Sequence, residues 1–272
     1  MIFVKRGKVP PNLKKVRETE LASLRVIAQQ RTIVSKDIRD KYRAFSKKLF
    51  DAQHSKCCYC ELIETNGFND VEHYRPKGRA DRSPGSAEKH GYWWLAYTWE
   101  NLLFACATCN RSNKNDQFPL ADAHTLQAEE QPPGEEKPLL LDPASTSINP
   151  VAHIVHVLRG SLWHAEPRNN SLYGLHTIEV CGLDRDELLE LRSNHVANIV
   201  APQAKAILRL MGLNEQNNLE YEFKRALGLL EPQQVHMALN YDALRHFISD
   251  AQLQATLNRT WPQPHEVGIP PP

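Results

Sequence analysis

The spacing of apolar positions changes along the chain and divides it into four stretches. After an extended start, IFVKR, the doublet Pro10-Pro11 interrupts the backbone, and over residues 12–50 apolar residues recur three and four apart. Leu21, Leu24 and Ala28 form one stripe and Ile38, Tyr42, Phe45 and Leu49 another, a spacing that predicts two helices. Ser35 followed by Asp37 suits the start of the second, since a hydroxyl and an acid complement the free N–H groups of a helix amino end.

From Cys57 the pattern breaks into short pieces. A cysteine turn leads through a loop containing Gly67 to a short strand over residues 70–74. The excursion PKGRADRSPGSAEKHG reads as a mobile loop because Gly, Pro and Ser dominate it. The run GYWWLAYTWENLLFAC then returns to a second cysteine turn, and its Trp93, Trp94, Tyr97 and Trp99, although able to stack on bases, read as core. Residues 125–150, rich in Pro, Glu and Ser, read as a linker holding one apolar piece over 138–142. Beyond it HIVHVLRGSLWHAE alternates as a hairpin does, and helices are predicted over 177–200, 201–211, 219–230 and 232–250, before a loosely held tail, WPQPHEVGIPPP.

The pattern predicts an α+β, mostly helical protein in four parts: a basic helical arm (1–56), a cysteine-bearing core (57–120), a linker (121–150) and a mainly helical region (151–272). No uncharged apolar run approaches the ~18 residues of a membrane span, and the start lacks a signal-peptide core, so a cytoplasmic protein is expected. The formal net charge of +1 hides a gradient. Residues 1–56 carry 15 Lys and Arg against 5 Asp and Glu, residues 57–120 carry 7 against 8, and residues 121–272 carry 11 against 19. A basic block beside a candidate metal site suits a polyanion, because Lys and Arg release counterions from phosphates.

Six cysteines in 272 residues are too few for a disulfide scaffold. Four of them, Cys57/Cys60 and Cys106/Cys109, stand as two Cys-x-x-Cys pairs, and two such knuckles make the closed tetrahedral sulfur site of a structural Zn²⁺. Cys58 and Cys181 read as buried bystanders. Between the knuckles lies DVEHYRPK, and NRSNKND follows the second. Cleaving a phosphodiester with water requires a base, a cation for the developing charge and a group that sets the tautomer of the base. His73 is the candidate base and Glu72 a hard oxygen ligand for Mg²⁺ or Mn²⁺. Asn110 can add an amide oxygen, and Asn101 can hydrogen-bond the imidazole. Arg75, Lys77, Arg111 and Lys114 are candidate nucleic-acid contacts, the last two on a helix after Cys109.

DVEH, an asparagine in WEN and then CATCNRSNK resemble the HNH endonuclease superfamily. Within it, the chain is similar to the bacterial anti-phage defence nucleases of the Septu type (PtuB-like), also found with some retrons. MIFVKR, CCYCE, VEHYRPK, GYWWLAYTWENLLFACATCNRSNKNDQFPL, PLLLDP and HTIEVCGLDRDELLELR carry that similarity across nearly the whole chain. The resemblance implies a zinc-stapled ββα-metal, treble-clef-like core, with His73 as general base, Glu72 as acidic metal ligand, Asn101 as the central asparagine and Asn110 as the last ligand. Glu72 stands where many relatives have Asp, and Asn110 where many have His, with Asn113 the competing choice. The resemblance also implies a DNA-cleaving effector acting with an SMC/ABC-like ATPase, which the acidic helical half would dock. RNA cleavage by the same site, for example of tRNA, and a non-catalytic zinc-stapled nucleic-acid-binding module are the competing readings.

Overall fold

The computed structural model describes residues 1, 3–64, 70–82, 90–122, 129–130, 136–213 and 215–268. The fold is α+β and about half helical, with two small antiparallel sheets among these residues. Parts of the expected mobile loop and linker, residues 83–89, 123–128 and 131–135, lie outside the described residues, as does Gly67.

The first helix, α1 (Pro11–Ala28), starts on a proline whose missing N–H is no loss in a first turn, and it buries Leu13, Leu21 and Leu24. The second predicted helix is divided. Asp37 folds back onto the Val34 N–H and pairs with Arg31, which ends a short turn over Ser35–Asp37. A 3₁₀ stretch, Asp40–Phe45, then precedes α2 (Ser46–Ala52). Residues three apart eclipse in 3₁₀ geometry, so Tyr42 and Phe45 are buried together. The lysines of α1 and α2 face solvent. Among the described residues, the opening segment pairs in no sheet. Val4 N–H instead donates to the Pro143 carbonyl at 2.6 Å, which ties the start of the chain to the segment before the hairpin.

Strand β1 (Val71–His73) pairs antiparallel with β2 (Leu102–Phe104), matching His73 with Leu102 and Val71 with Phe104. A three-residue ladder is too short to stand alone. It is extended by Gln53, whose side-chain amide donates to Phe104 O at 2.7 Å and accepts from Phe104 N at 2.8 Å, as a third strand would. A helical segment with π-type bonds follows, Thr108–Lys114. Trp93, Trp94, Tyr97 and Trp99 are buried around this unit, in keeping with the core reading. Leu140 and Leu141 of the apolar piece are buried too, and the Leu141 N–H donates to the Thr177 hydroxyl at 2.9 Å.

The predicted hairpin forms as β3 (Ile154–Arg159) and β4 (Leu162–Pro167). The helix expected over 177–200 divides at Gly182, whose φ of +58° ends α3 (Leu172–Cys181) before α4 (Asp186–His195) begins. A π turn (Val196–Val200) joins α4 to α5 (Ala201–Leu213), and α6 (Gln216–Gly228) packs against α5. Helix α7 (Met237–Phe247) is buried along Met237–Leu244 and forms the centre of a second core. The sequence reading missed α8 (Asp250–Leu257), although Ser249 and Gln252 make a reciprocal capping box. It also misjudged the tail. Trp261 is buried against Phe223, with its indole N–H on the Ile248 carbonyl at 2.8 Å, and Val267 is buried as well.

A Cβ on Gly182 would stand 2.2 Å from Asn113 Oδ1, and the Asn113 amide is held by the Thr108 carbonyl at 2.7 Å. Gly182→Ala should therefore lower stability by about 1–2 kcal/mol from the left-handed backbone alone, seen as a lower thermal midpoint. An unchanged midpoint would show that the turn between α3 and α4 accommodates a side chain.

Candidate active site

The two cysteine turns meet at the end of β2. Cys58 N–H donates to Phe104 O at 3.1 Å, and the second knuckle begins two residues after the strand. The four sulfurs of Cys57, Cys60, Cys106 and Cys109 lie within 4.8 Å of one another and are buried. Cys60 and Cys106 are 3.8 Å apart, too far for a disulfide. It is, however, close to the edge of a tetrahedron built on Zn–S bonds of ~2.3 Å. The donor set and spacing therefore fit zinc, which Cys57, Cys60, Cys106 and Cys109 would hold. Hydrogen bonds from Cys109, Cys57 and Cys60 pull the Cys106 thiol below its usual range. Cys58 and Cys181 are fully buried bystanders, and burial pushes the Cys58 thiol up to about 11.

Strand β1 directs its two polar residues to different partners, as a period of two requires. The His73 imidazole is 5% exposed, and its Nε2–H donates to the Ala96 carbonyl at 2.9 Å. That bond assigns the proton to Nε2 and leaves Nδ1 as the basic nitrogen. Tyr42 meets the ring edge-on at 4.6 Å, and the Lys77 ammonium lies 5.1 Å from the Tyr42 ring centre. Burial, then the Lys77 charge, holds the imidazole well below its ordinary pKa and so neutral. The Glu72 carboxylate turns to Lys114, whose Nζ is 2.7 Å from Oε1, and to the Tyr59 hydroxyl, which donates to the same oxygen at 3.1 Å. Glu72 is 2% exposed and Lys114 is fully buried.

A cavity of about 350 Å³ opens over this end of the strand. Ser35, Tyr42 and Arg43 of the arm form one wall. Asp70, Glu72, His73 and Lys77, with Asn110, Arg111, Asn115 and Asp116, complete it. Gly78 allows the loop to close on the arm, since a Cβ there would stand 2.0 Å from Ser35 Oγ. A larger cavity of about 710 Å³ lies between residues 3–5 and Leu227–Gln233, away from any of these groups. Size does not identify the site. Mixed polar groups of opposite charge, converging on a buried histidine, make the smaller cavity the candidate.

Several expected residues stand elsewhere. Asn101 does not reach the imidazole. Its Oδ1 accepts from Arg75 N at 2.8 Å and its Nδ2 donates to Arg75 O at 3.0 Å and Leu95 O at 3.3 Å. Asn101 thereby fixes the turn that presents the neighbouring Ala96 carbonyl to His73. Arg75 points away from the cavity, pairing with the buried Glu136 at 2.9 Å among Tyr74, Tyr92 and Phe118. Lys114 lies on no solvated helix face, because its ammonium is consumed by Glu72 and by the His73 carbonyl at 3.1 Å. Asn110 lines the cavity, whereas Asn113 binds the Thr108 carbonyl and packs on Gly182. Arg111 is exposed and forms a bidentate pair with Asp70 at 2.7 and 2.9 Å. The sequence reading missed Tyr42, Arg43 and Tyr59, whose spacing signals only helix or core.

A search of curated proteins finds the chain 31% identical over 246 residues to "Septu protein PtuB" of Bacillus mycoides (strain KBAB4), an alignment covering 84% of this chain and 80% of that protein. No protein-family model matches the chain, and no solved structure matches it significantly.

The buried Glu72–Lys114 pair sets a stability test. Lys114→Met strands a carboxylate in the interior and should cost about 3–5 kcal/mol, whereas adding Glu72→Gln should restore most of that loss. Denaturant unfolding of the single and double variants measures the coupling, and additive losses would show that the two charges act independently.

Proposed function

The chain belongs to the family of the Septu protein PtuB, and from that premise and the cavity around His73 we propose that it is a metal-dependent endonuclease of the HNH type, an effector of anti-phage defence that cleaves DNA. The observation that carries this reading is His73 itself: a buried imidazole, neutral, with its Nε2 proton committed to Ala96 and its other nitrogen free to accept. Strands β1 and β2 followed by the helical segment after Cys106 support a ββα unit, with His73 on its first strand and Asn110 on its helix.

In this reading His73 Nδ1 takes a proton from the attacking water, which adds in line to phosphorus as the 3′-oxygen leaves and yields a 5′-phosphate end. Lys77, Arg111 and Arg43 on the cavity walls hold phosphate oxygens, and the lysines of α1 and α2 hold the flanking backbone. Tyr42 keeps the imidazole and the Lys77 ammonium on one side of the cavity. Glu72 and Asn110 supply hard oxygen donors suited to Mg²⁺ or Mn²⁺ on one cavity wall. Both contacts of the Glu72 carboxylate fall on Oε1. When bound, such an ion supplies positive charge to the phosphate and the leaving oxygen. Asn101 acts through the Leu95–Ala96 turn, as a positioning residue for the base.

The acidic helical half is the proposed docking surface for an SMC/ABC-like ATPase. On it Glu187 and Glu190 are exposed beside Leu191, and Leu172 and Tyr173 are exposed at the start of α3. No helix among the described residues is long and apolar enough to cross a membrane.

Wild type and His73→Ala, each with plasmid DNA, a tRNA and Mg²⁺, in the presence and absence of the ATPase, test the proposal. The variant should lose cleavage by about 10²–10⁴-fold while keeping zinc and DNA binding. Chelating the divalent ion should abolish cutting in wild type, and added Mg²⁺ or Mn²⁺ should restore it. Equal behaviour of wild type and His73→Ala with the ATPase present would favour the non-catalytic binding module, and cutting confined to the tRNA would reassign the substrate.

A further inference from the structure

A zinc ion held by four thiolates leaves a net charge of −2, and here all four sulfurs are buried. An uncompensated dianion in the interior is costly, so counter-charge is expected close by. The described residues place a guanidinium group there, that of Arg185 just before α4. Arg185 Nη1 is 3.6 Å from Cys109 Sγ and donates to the Gly182 carbonyl at 3.0 Å. Its carboxylate neighbour, Glu187, is 3.6 Å from Nε and largely in solvent.

The Arg185 guanidinium therefore turns past its carboxylate neighbour towards the sulfurs, and Cys109 acts attractively on it. The contact is braced from the other side, because Gly182 turns in the left-handed region directly against Asn113, four residues beyond Cys109. We propose that Arg185 is a counter-ion of the sulfur cluster, acting through an N–H···S bond to Cys109. The helical half thereby sets how firmly the knuckles hold their metal. The inference rests on the zinc reading of the four cysteines and not on the nuclease reading of His73. It also joins the surface proposed to dock a partner to the segment that carries Asn110.

The test uses the full chain loaded with zinc. Zinc release to a chromophoric chelator is followed in wild type, Arg185→Gln and Arg185→Lys, with Arg159→Gln, an exposed arginine of the hairpin, as the control for net charge. Arg185→Gln should release zinc about 10-fold faster or more, the usual effect of removing an outer-shell partner, and the control should match wild type. Arg185→Lys should fall between, since it keeps the charge but loses the fixed fork of donors. In the cobalt-substituted protein, the thiolate-to-metal charge-transfer band should move in both Arg185 variants. Folded Arg185 variants with wild-type release rates and an unmoved band would overturn the proposal, as would a control that changes as much as they do. A wild type that binds neither zinc nor cobalt would overturn it at the root. None of these outcomes depends on whether the protein cuts nucleic acid.

Discussion

The meeting of two cysteine turns, 46 residues apart between Cys60 and Cys106, is the constraint on which the rest of the structure depends. The strands that carry the candidate chemistry are three residues long each, and the chain between them makes an excursion of more than twenty-five residues. Neither the ladder nor a loop of that length can hold a fixed geometry by itself. Closing the sulfur cluster brings the first knuckle against the end of β2, where Cys58 and Gln53 occupy the free hydrogen-bonding groups of Phe104. The second knuckle begins the turn that places Asn110 over the cavity. The candidate cavity is thus built on a scaffold whose own metal, with four thiolates, would have no open position for water.

The cavity depends next on how charge is distributed between interior and surface. Lys114 and Glu72 neutralise each other under the strand, and Arg75 and Glu136 do so behind the loop that follows it. Charges that would otherwise reach substrate thus hold the floor of the site in place. The cations that remain facing the cavity are a smaller set, Lys77, Arg43 and Arg111, beside His73 and opposed by Asp70, Asp116 and the Lys114-paired Glu72. Lys77 and the Tyr42 ring share the cavity with the imidazole, and the proximity of that ammonium disfavours a second positive charge on His73. The two cores are not independent of the cluster either. The buried Lys56 ammonium donates to the Gln234 carbonyl at 2.7 Å just before the first knuckle, and Glu61 just after it meets the amino end of α7.

Much of this was legible along the chain. Paired cysteines announce a metal site through spacing alone, because two thiols in one tight turn have few other uses in a reduced protein. The hairpin over Ile154–Pro167 and the helices near α5, α6 and α7 follow from the periods of two and 3.6 that burial on one face imposes. The aromatic run was readable as core for the same reason. Failures came where a local bond or backbone state competes with periodicity. Asp37 bonding back to Val34 ended a helix early, and Gly182 in the left-handed region divided another. In the tail, Trp261 found a buried acceptor, the Ile248 carbonyl, that lies thirteen residues earlier in the chain.

The amino-acid sequence by itself determined which chemistry is available: the thiols and their pairing, a histidine beside an acid, asparagines flanking the second knuckle, and a basic amino-terminal block. Only the tertiary structure decided which of those groups remain free to use it. Arg75, Lys77, Arg111 and Lys114 are all cations near the same strand, yet two are spent on interior carboxylates and two line the cavity. Asn101 serves the histidine through a carbonyl of another residue, a relation that no spacing encodes. The physical reason is that residue type and local period are properties of neighbours along the chain. Burial, and with it the cost or the use of a charge, is set by what the folded chain brings from far away.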